Sequence, residues 1–179
     1  MKTTRWISFT GIGIALFVVF TMCLQVPVFE NYYLCIGYIV MAVYCSTAGG
    51  LSGAAVGTLG VILYCVLTGG LRGMPGWAAG NVLIGLLLGA AFAVSRRARS
   101  RAVRYMICAI AVIIACAGGI LGVKSITESI LYAQPFGVRV LKNSYAFVAD
   151  AAVLLASLPL CGVISRYAAA HSPFGAPAE

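Results

Sequence analysis

Side chains able to bind a ligand or move a proton are few in this sequence, and most of them stand where apolar runs begin or end. Asp150 is the exception, an acid inside a long apolar run, two helical turns beyond Asn143 and so about 10 Å along a helix rising about 1.5 Å per residue. A carboxylate at that depth is costly unless paired or protonated. It therefore stands for a contact at the floor of a pocket, a structural ion pair or a proton relay. No second intramembrane acid or histidine accompanies it, because the sole histidine, His171, is near the C-terminus.

The stretch GLRGMPGWAAGN holds a second group. Trp77 and Asn81, four residues apart, share one helix face, with Gly73, Gly76 and Gly80 allowing close backbone approach and Pro75 marking a helix start. Asn81, one turn inside the run, must hydrogen-bond either a neighbouring helix or a ligand. Two readings stay open: an interfacial tryptophan anchor with an interhelical hydrogen bond, or the lip of a pocket to which Arg72 also contributes. Lys124, Glu128 and Tyr132 follow the same four-residue spacing, as do Arg139 and Asn143, with Lys142 beside them. Each set is a solvated ion-pair stripe or one wall of a polar cavity. Glu30, Asn31 and Tyr32 add polar groups in the loop QVPVFENY.

The elements that position these groups follow from composition. Of 179 residues, 62% are hydrophobic and 9% charged, and the mean hydropathy is +1.03. That balance belongs to an integral membrane protein. Six apolar runs serve as transmembrane helices of one compact all-α bundle, about 6–24, 33–47, 51–67, 77–94, 105–123 and 145–164, with the second short. Residues 1–167 form the six-helix membrane domain and 168–179 a disordered cytoplasmic tail. The first run is expected to be a true span, since no convincing cleavage site precedes Gln25. An amphipathic connection over 124–143 joins spans five and six.

The net charge of +8 signals topology, with no nucleic acid implied. Eight basic residues lie at the N-terminus, in the 95–104 loop and at Arg166, against Arg72, Lys124, Arg139 and Lys142 on the other side. Both termini are therefore expected in the cytoplasm. The polar groups with specific chemistry then share the outer face. The seven cysteines have neither C-x-x-C spacing nor companion histidines, and read as small buried hydrophobes; no metal or other cofactor is expected. Hydrolase, zinc-protease and nucleotide-binding motifs are missing, so no enzyme activity is expected and any energy for transport must come from ion coupling or from partner subunits.

Taken in order, the small-residue first span at TGIGIALF, the run GYIVMAVYCSTAGGLSGAAVGTLG, the entry GLRGMPGWAAGNVLIG and the segment LKNSYAFVADAAVLLASLP resemble the substrate-binding S components of energy-coupling factor (ECF) vitamin transporters. The resemblance covers nearly the whole chain. It implies a bacterial cell membrane protein that binds a water-soluble vitamin or precursor in an outward-opening cavity, under a lid formed by the first loop. It also implies an ECF transmembrane coupling subunit and two cytoplasmic ATPases as partners, with Gly11 and Ala15 as the docking pair in place of two alanines. Asn31, Tyr32, Arg72, Trp77, Asn81, Lys124, Glu128, Tyr132, Arg139, Asn143 and Asp150 are the candidate substrate-binding residues. Counting Arg72, Lys124, Arg139 and Lys142 against Glu30, Glu128 and Asp150, an anionic ligand is slightly favoured. The alternatives are a stand-alone carrier or exporter using Asp150 for proton coupling, and an assembly subunit without a ligand.

Overall fold

In a computed structural model the chain is described over residues 2–24, 26–29 and 32–171. Helix α1 (Lys2–Cys23) leads into an antiparallel hairpin, β1 (Val26–Phe29) and β2 (Tyr32–Leu34), followed by α2 (Gly37–Ala48), α3 (Gly50–Thr68), α4 (Met74–Ser95) and α5 (Arg101–Cys116). α5 runs on through a π-helical segment (Ala117–Lys124) into α6 (Ser125–Tyr132), and α7 (Phe136–His171) completes the bundle.

Two parts of the expected architecture take a more specific form. The first is six spans in an all-α chain: five helical stretches are long and apolar enough to cross a membrane, and the shorter apolar helix α2 is the sixth. Its 12 residues reach about 18 Å, against the roughly 30 Å of a hydrocarbon core. The loop ahead of it pairs as the hairpin, Val26 with Leu34 and Pro27 with Tyr33, with an irregularity between Pro27 and Phe29. Pro27 cannot continue a helix, and pairing satisfies backbone groups that an irregular loop would leave open. α2 itself is largely enclosed by the other helices, with Tyr38, Met41, Ala42 and Cys45 almost inaccessible.

The second is the amphipathic connection. The continuous helical stretch Arg101–Tyr132 has 32 residues, about 48 Å at helical rise and well beyond a hydrocarbon core. Together α6 and the first turns of α7 make two helical walls joined by a short turn, where Ala133 takes a left-handed φ of 50° and Ser129 Oγ donates to Gln134 O at 2.7 Å. Helix also runs on to His171, into the segment expected as a tail; 172–179 lie outside the described residues.

Glycines set the helix spacing. A Cβ built on Gly80 would lie 2.6 Å from Gly119 O, and one on Gly85 would lie 2.5 Å from Ala54 Cα. α4 therefore meets the π segment and α3 backbone to backbone, as small residues permit in lipid. Phe17, Tyr38, Met41, Ile84, Leu88 and Leu154 fill the centre. Outside, Ile12, Leu51, Ile114, Val148 and Val163 are among many large exposed apolar side chains, a surface that lipid rather than water solvates.

The bundle has two distinct ends. At one, Trp6 Nε1 donates to Ser52 Oγ at 2.8 Å, Tyr44 donates its hydroxyl to Phe9 O at 2.8 Å, and Arg96 bonds Ser46 O. At the other lie the hairpin, the start of α4 and the α6–α7 turn. Arg72, Trp77, Lys124, Glu128, Tyr132, Arg139, Lys142 and Asn143 belong to this second end.

Candidate functional site

An open cavity of about 940 Å³ lies at the hairpin end of the bundle, between the turn preceding α4, the end of the π segment, α6 and the first turns of α7. Small-molecule sites commonly occupy about 300–1,000 Å³. Gly69 ends α3 with a φ of 74°, and Pro75 stands in the first turn of α4, where its missing N–H costs nothing. This tight reversal brings Arg72 and Trp77 to the rim.

The opposite wall depends on Gly76. A Cβ there would lie 3.0 Å from Glu128 Cγ and 3.1 Å from Lys124 O, so the absent side chain lets the Lys124 and Glu128 stems lie across the first turn of α4. The π segment ends at Lys124, and Ser125 Oγ donates to Ile120 O at 3.1 Å, five residues back. Wide turns of this kind are frequent beside functional sites.

Glu128 is the hub of the cavity wall. Its Oε2 lies 3.5 Å from Arg139 Nη1 and accepts Asn143 Nδ2 at 3.1 Å; the same amide donates to Ser125 Oγ at 3.0 Å. Arg139 and Arg72 both stand over the Tyr132 ring, at 4.9 and 5.3 Å from its centroid, within cation–π reach. Arg72, Lys124, Arg139 and Lys142 face the cavity, with Glu128 the one carboxylate among the lining residues. Two lining residues carry buried polar atoms without a hydrogen-bond partner, Arg139 Nε and Gln134 Oε1. Orphaned donors and acceptors are rare in folded proteins and mark where a ligand or water completes the bonding.

Of the residues singled out in the sequence, Arg72, Trp77, Lys124, Glu128, Tyr132, Arg139 and Asn143 share this cavity. Asn81 and Asp150 do not line it. Asn81 is fully buried: its Oδ1 accepts the Tyr38 hydroxyl at 2.7 Å and its Nδ2 donates to Gly57 O at 2.9 Å. Trp77 Nε1 donates to the Tyr38 hydroxyl at 3.0 Å, so one polar chain links the rim to the centre of the bundle. Asp150 is buried, bonded to the Cys35 backbone and under the field of Lys124. The charge tally accordingly changes, because Asp150 is removed from the cavity and Glu30 lies outside the described residues. Asn31 also lies outside them, and Tyr32 is placed only as part of β2.

Sequence reasoning missed Tyr38, Ser125 and Gln134. Tyr38 sits within GYIVMAVY, where an aromatic in an apolar run gives no sign of a polar partner. Gln134 had a visible signal, an amide in the turn between two polar stripes.

The family model described as ECF-type riboflavin transporter, S component, matches residues 1–166. The chain belongs to this family of S components. No curated relative matches it. As an S component it is a multi-pass membrane protein and a substrate-binding subunit of a transporter, and not an enzyme.

Proposed function

We propose that this S component captures riboflavin, or a vitamin of similar shape, in the cavity at the hairpin end and delivers it inward with an ATP-driven ECF module in the bacterial cell membrane. The observation that carries the reading is a cavity of about 940 Å³ in which aromatic rings and cations converge, Trp77 and Tyr132 with Arg72 and Arg139. A flat heterocycle stacks on such rings and guanidinium planes, while its carbonyls and hydroxyls meet N–H donors. Arg139 Nε and Gln134 Oε1 offer one donor and one acceptor already stripped of protein partners. The four lining cations also suit a phosphorylated or carboxylated relative of the vitamin.

The hairpin packs beside α7 and is suited to act as the lid. With the termini in the cytoplasm, as the arginine distribution favours, the cavity opens outward. On α1, Gly11 and Ala15 are exposed, and a Cβ on Gly11 would have nothing within 4 Å. That open small-residue face suits docking to the coupling subunit, with the two ATPases beneath. The proton-coupled carrier finds less support, because Asp150 does not line the cavity.

The test is a riboflavin titration of the detergent-purified protein, following tryptophan fluorescence in a Trp6→Phe background so that Trp77 is the reporter. Saturable quenching at one equivalent, confirmed by co-purified vitamin, is the expected result. Neither quenching nor retained vitamin would remove the riboflavin reading.

A further inference from the structure

We propose that a second cavity, at the opposite end of the bundle, binds the phosphate group of an anionic phospholipid. It has a volume of about 110 Å³ and lies where the end of α4, the start of α5 and the last third of α7 meet. Arg96, Arg101, Arg104 and Arg166 line it, with hydroxyls from Tyr105 and Ser165. No carboxylate lines it, and among the described residues the one ion pair is that of Arg139 with Glu128 at the other end. Four guanidiniums without an anionic partner around one concavity are matched by an oxyanion, which guanidinium binds through paired N–H donors.

The site is built rather than a random basic fringe. Arg96 is tied to Ser46 O and Arg104 Nε donates to Ala98 O at 2.8 Å, so two of the four guanidiniums are oriented by backbone carbonyls before any ligand arrives. Gly162 makes room for Tyr105, since a Cβ there would stand 3.1 Å from the Tyr105 hydroxyl oxygen. Basic residues favour this end for topology in any membrane protein, but Arg97 and Arg99 belong to the same loop and do not line the cavity. Those two arginines separate a general attraction from a site.

A phosphate oxyanion is the chemistry recognised, and a lipid headgroup and inorganic phosphate both carry it. The lipid is favoured by what borders the cavity: on the same helices Met106 is 61% and Val163 67% exposed, an apolar surface along which acyl chains can lie. Basic pockets between helices at this level of a bilayer bind anionic headgroups.

The experiment is native mass spectrometry of the delipidated full-length protein titrated with dioleoylphosphatidylglycerol, with dioleoylphosphatidylcholine as the neutral comparison and inorganic phosphate as a competitor. One phosphatidylglycerol should be retained in preference to phosphatidylcholine. The pair Arg101→Gln and Arg104→Gln should weaken its binding about tenfold or more, since each charge-assisted hydrogen bond lost carries about that factor. Arg101→Lys with Arg104→Lys keeps the charge and the fold but loses the paired donors, and should also weaken binding. Arg97→Gln with Arg99→Gln should leave it within about twofold, as for exposed charges that make no contact. Equal losses from the two glutamine pairs, or full affinity in the lysine pair, would overturn the site in favour of undirected attraction to a basic loop. Displacement of the lipid by millimolar inorganic phosphate with the same variant pattern would keep the oxyanion site and assign it to soluble phosphate; retention of neither ligand would end the proposal.

Discussion

Arg139 Nη1 stands 3.5 Å from Glu128 Oε2 across the mouth of the larger cavity, and this pair joins the two helical walls, α6 and α7. Their side chains are 16% and 6% exposed, so neither charge has full access to water. Arg139→Ala leaves a buried carboxylate with only the Asn143 amide to support it, whereas Glu128→Gln leaves a guanidinium that still reaches the cavity. The alanine variant should lose about 2–4 kcal/mol of stability and the glutamine variant about half of that. Thermal unfolding in detergent measures both; an equal loss would mean that Glu128 gains nothing from the arginine.

Asn81 predicts a different outcome. Its two hydrogen bonds hold α2, α3 and α4 together, away from the cavity lining. Asn81→Ala should lower stability by about 1–3 kcal/mol, on the scale of interhelical hydrogen bonds in membranes with a stranded partner added. Ligand affinity of the folded fraction should change less than threefold, about the effect of a residue without ligand contact. Tyr38→Phe removes the middle of the same chain and should also free the Trp77 indole N–H, visible as a shift in its emission. A large loss of affinity with no loss of stability would return Asn81 to the binding site.

Asp150→Asn separates the carrier from the S component reading. The amide keeps an oxygen to accept the Cys35 N–H and loses the proton-carrying function. Uptake by cells holding the full transporter should persist at about the original rate, within twofold, if coupling comes from ATP and the carboxylate is an anchor. Collapse of uptake with unchanged vitamin binding would favour proton coupling.

The two exposed small residues of α1 and the buried glycines of α4 should respond in opposite ways. Gly11→Leu meets open space and should preserve stability and vitamin binding while abolishing uptake. Gly80→Ala drives a methyl into Gly119 O and should cost about 1–3 kcal/mol through overpacking. Melting curves and vitamin retention distinguish them; loss of binding in Gly11→Leu would contradict a docking face.

How far the sequence discloses this arrangement depends on the kind of interaction. The gathering of Lys124, Glu128, Tyr132, Arg139 and Asn143 was legible because four-residue spacing aligns side chains on a helix whatever packs against it. Spans one, three and four were legible from apolar length alone. The second, short in the sequence, is the 12-residue α2, while the strand pairing of the loop ahead of it, Val26 with Leu34, left no mark in the apolar pattern. Tyr38 and Asn81 meet across 43 residues of sequence, a relation no local pattern records. Arg96, Arg101 and Arg104 were read as topology alone, since their meeting with Ser165 and Arg166 around one cavity requires α7 to fold back beside α5.

The π segment at Ala117–Lys124 acts as a phase adjuster in a single long shaft. Below it, α5 turns Cys108, Val112 and Ala115 to the bundle and Ile110, Ile113 and Ile114 outward; from its last residue on, the shaft presents Lys124, Glu128 and Tyr132 to the cavity. An α-helix turns about 100° per residue, so deleting one residue from the widened turn would restore ordinary winding below while swinging everything beyond it through roughly that angle. The same side chains would survive in the same order and point at the wrong neighbour. In this chain the angular setting of the cavity wall is therefore carried by backbone winding, through the glycines and alkyl side chains of 117–123, which do not line the cavity.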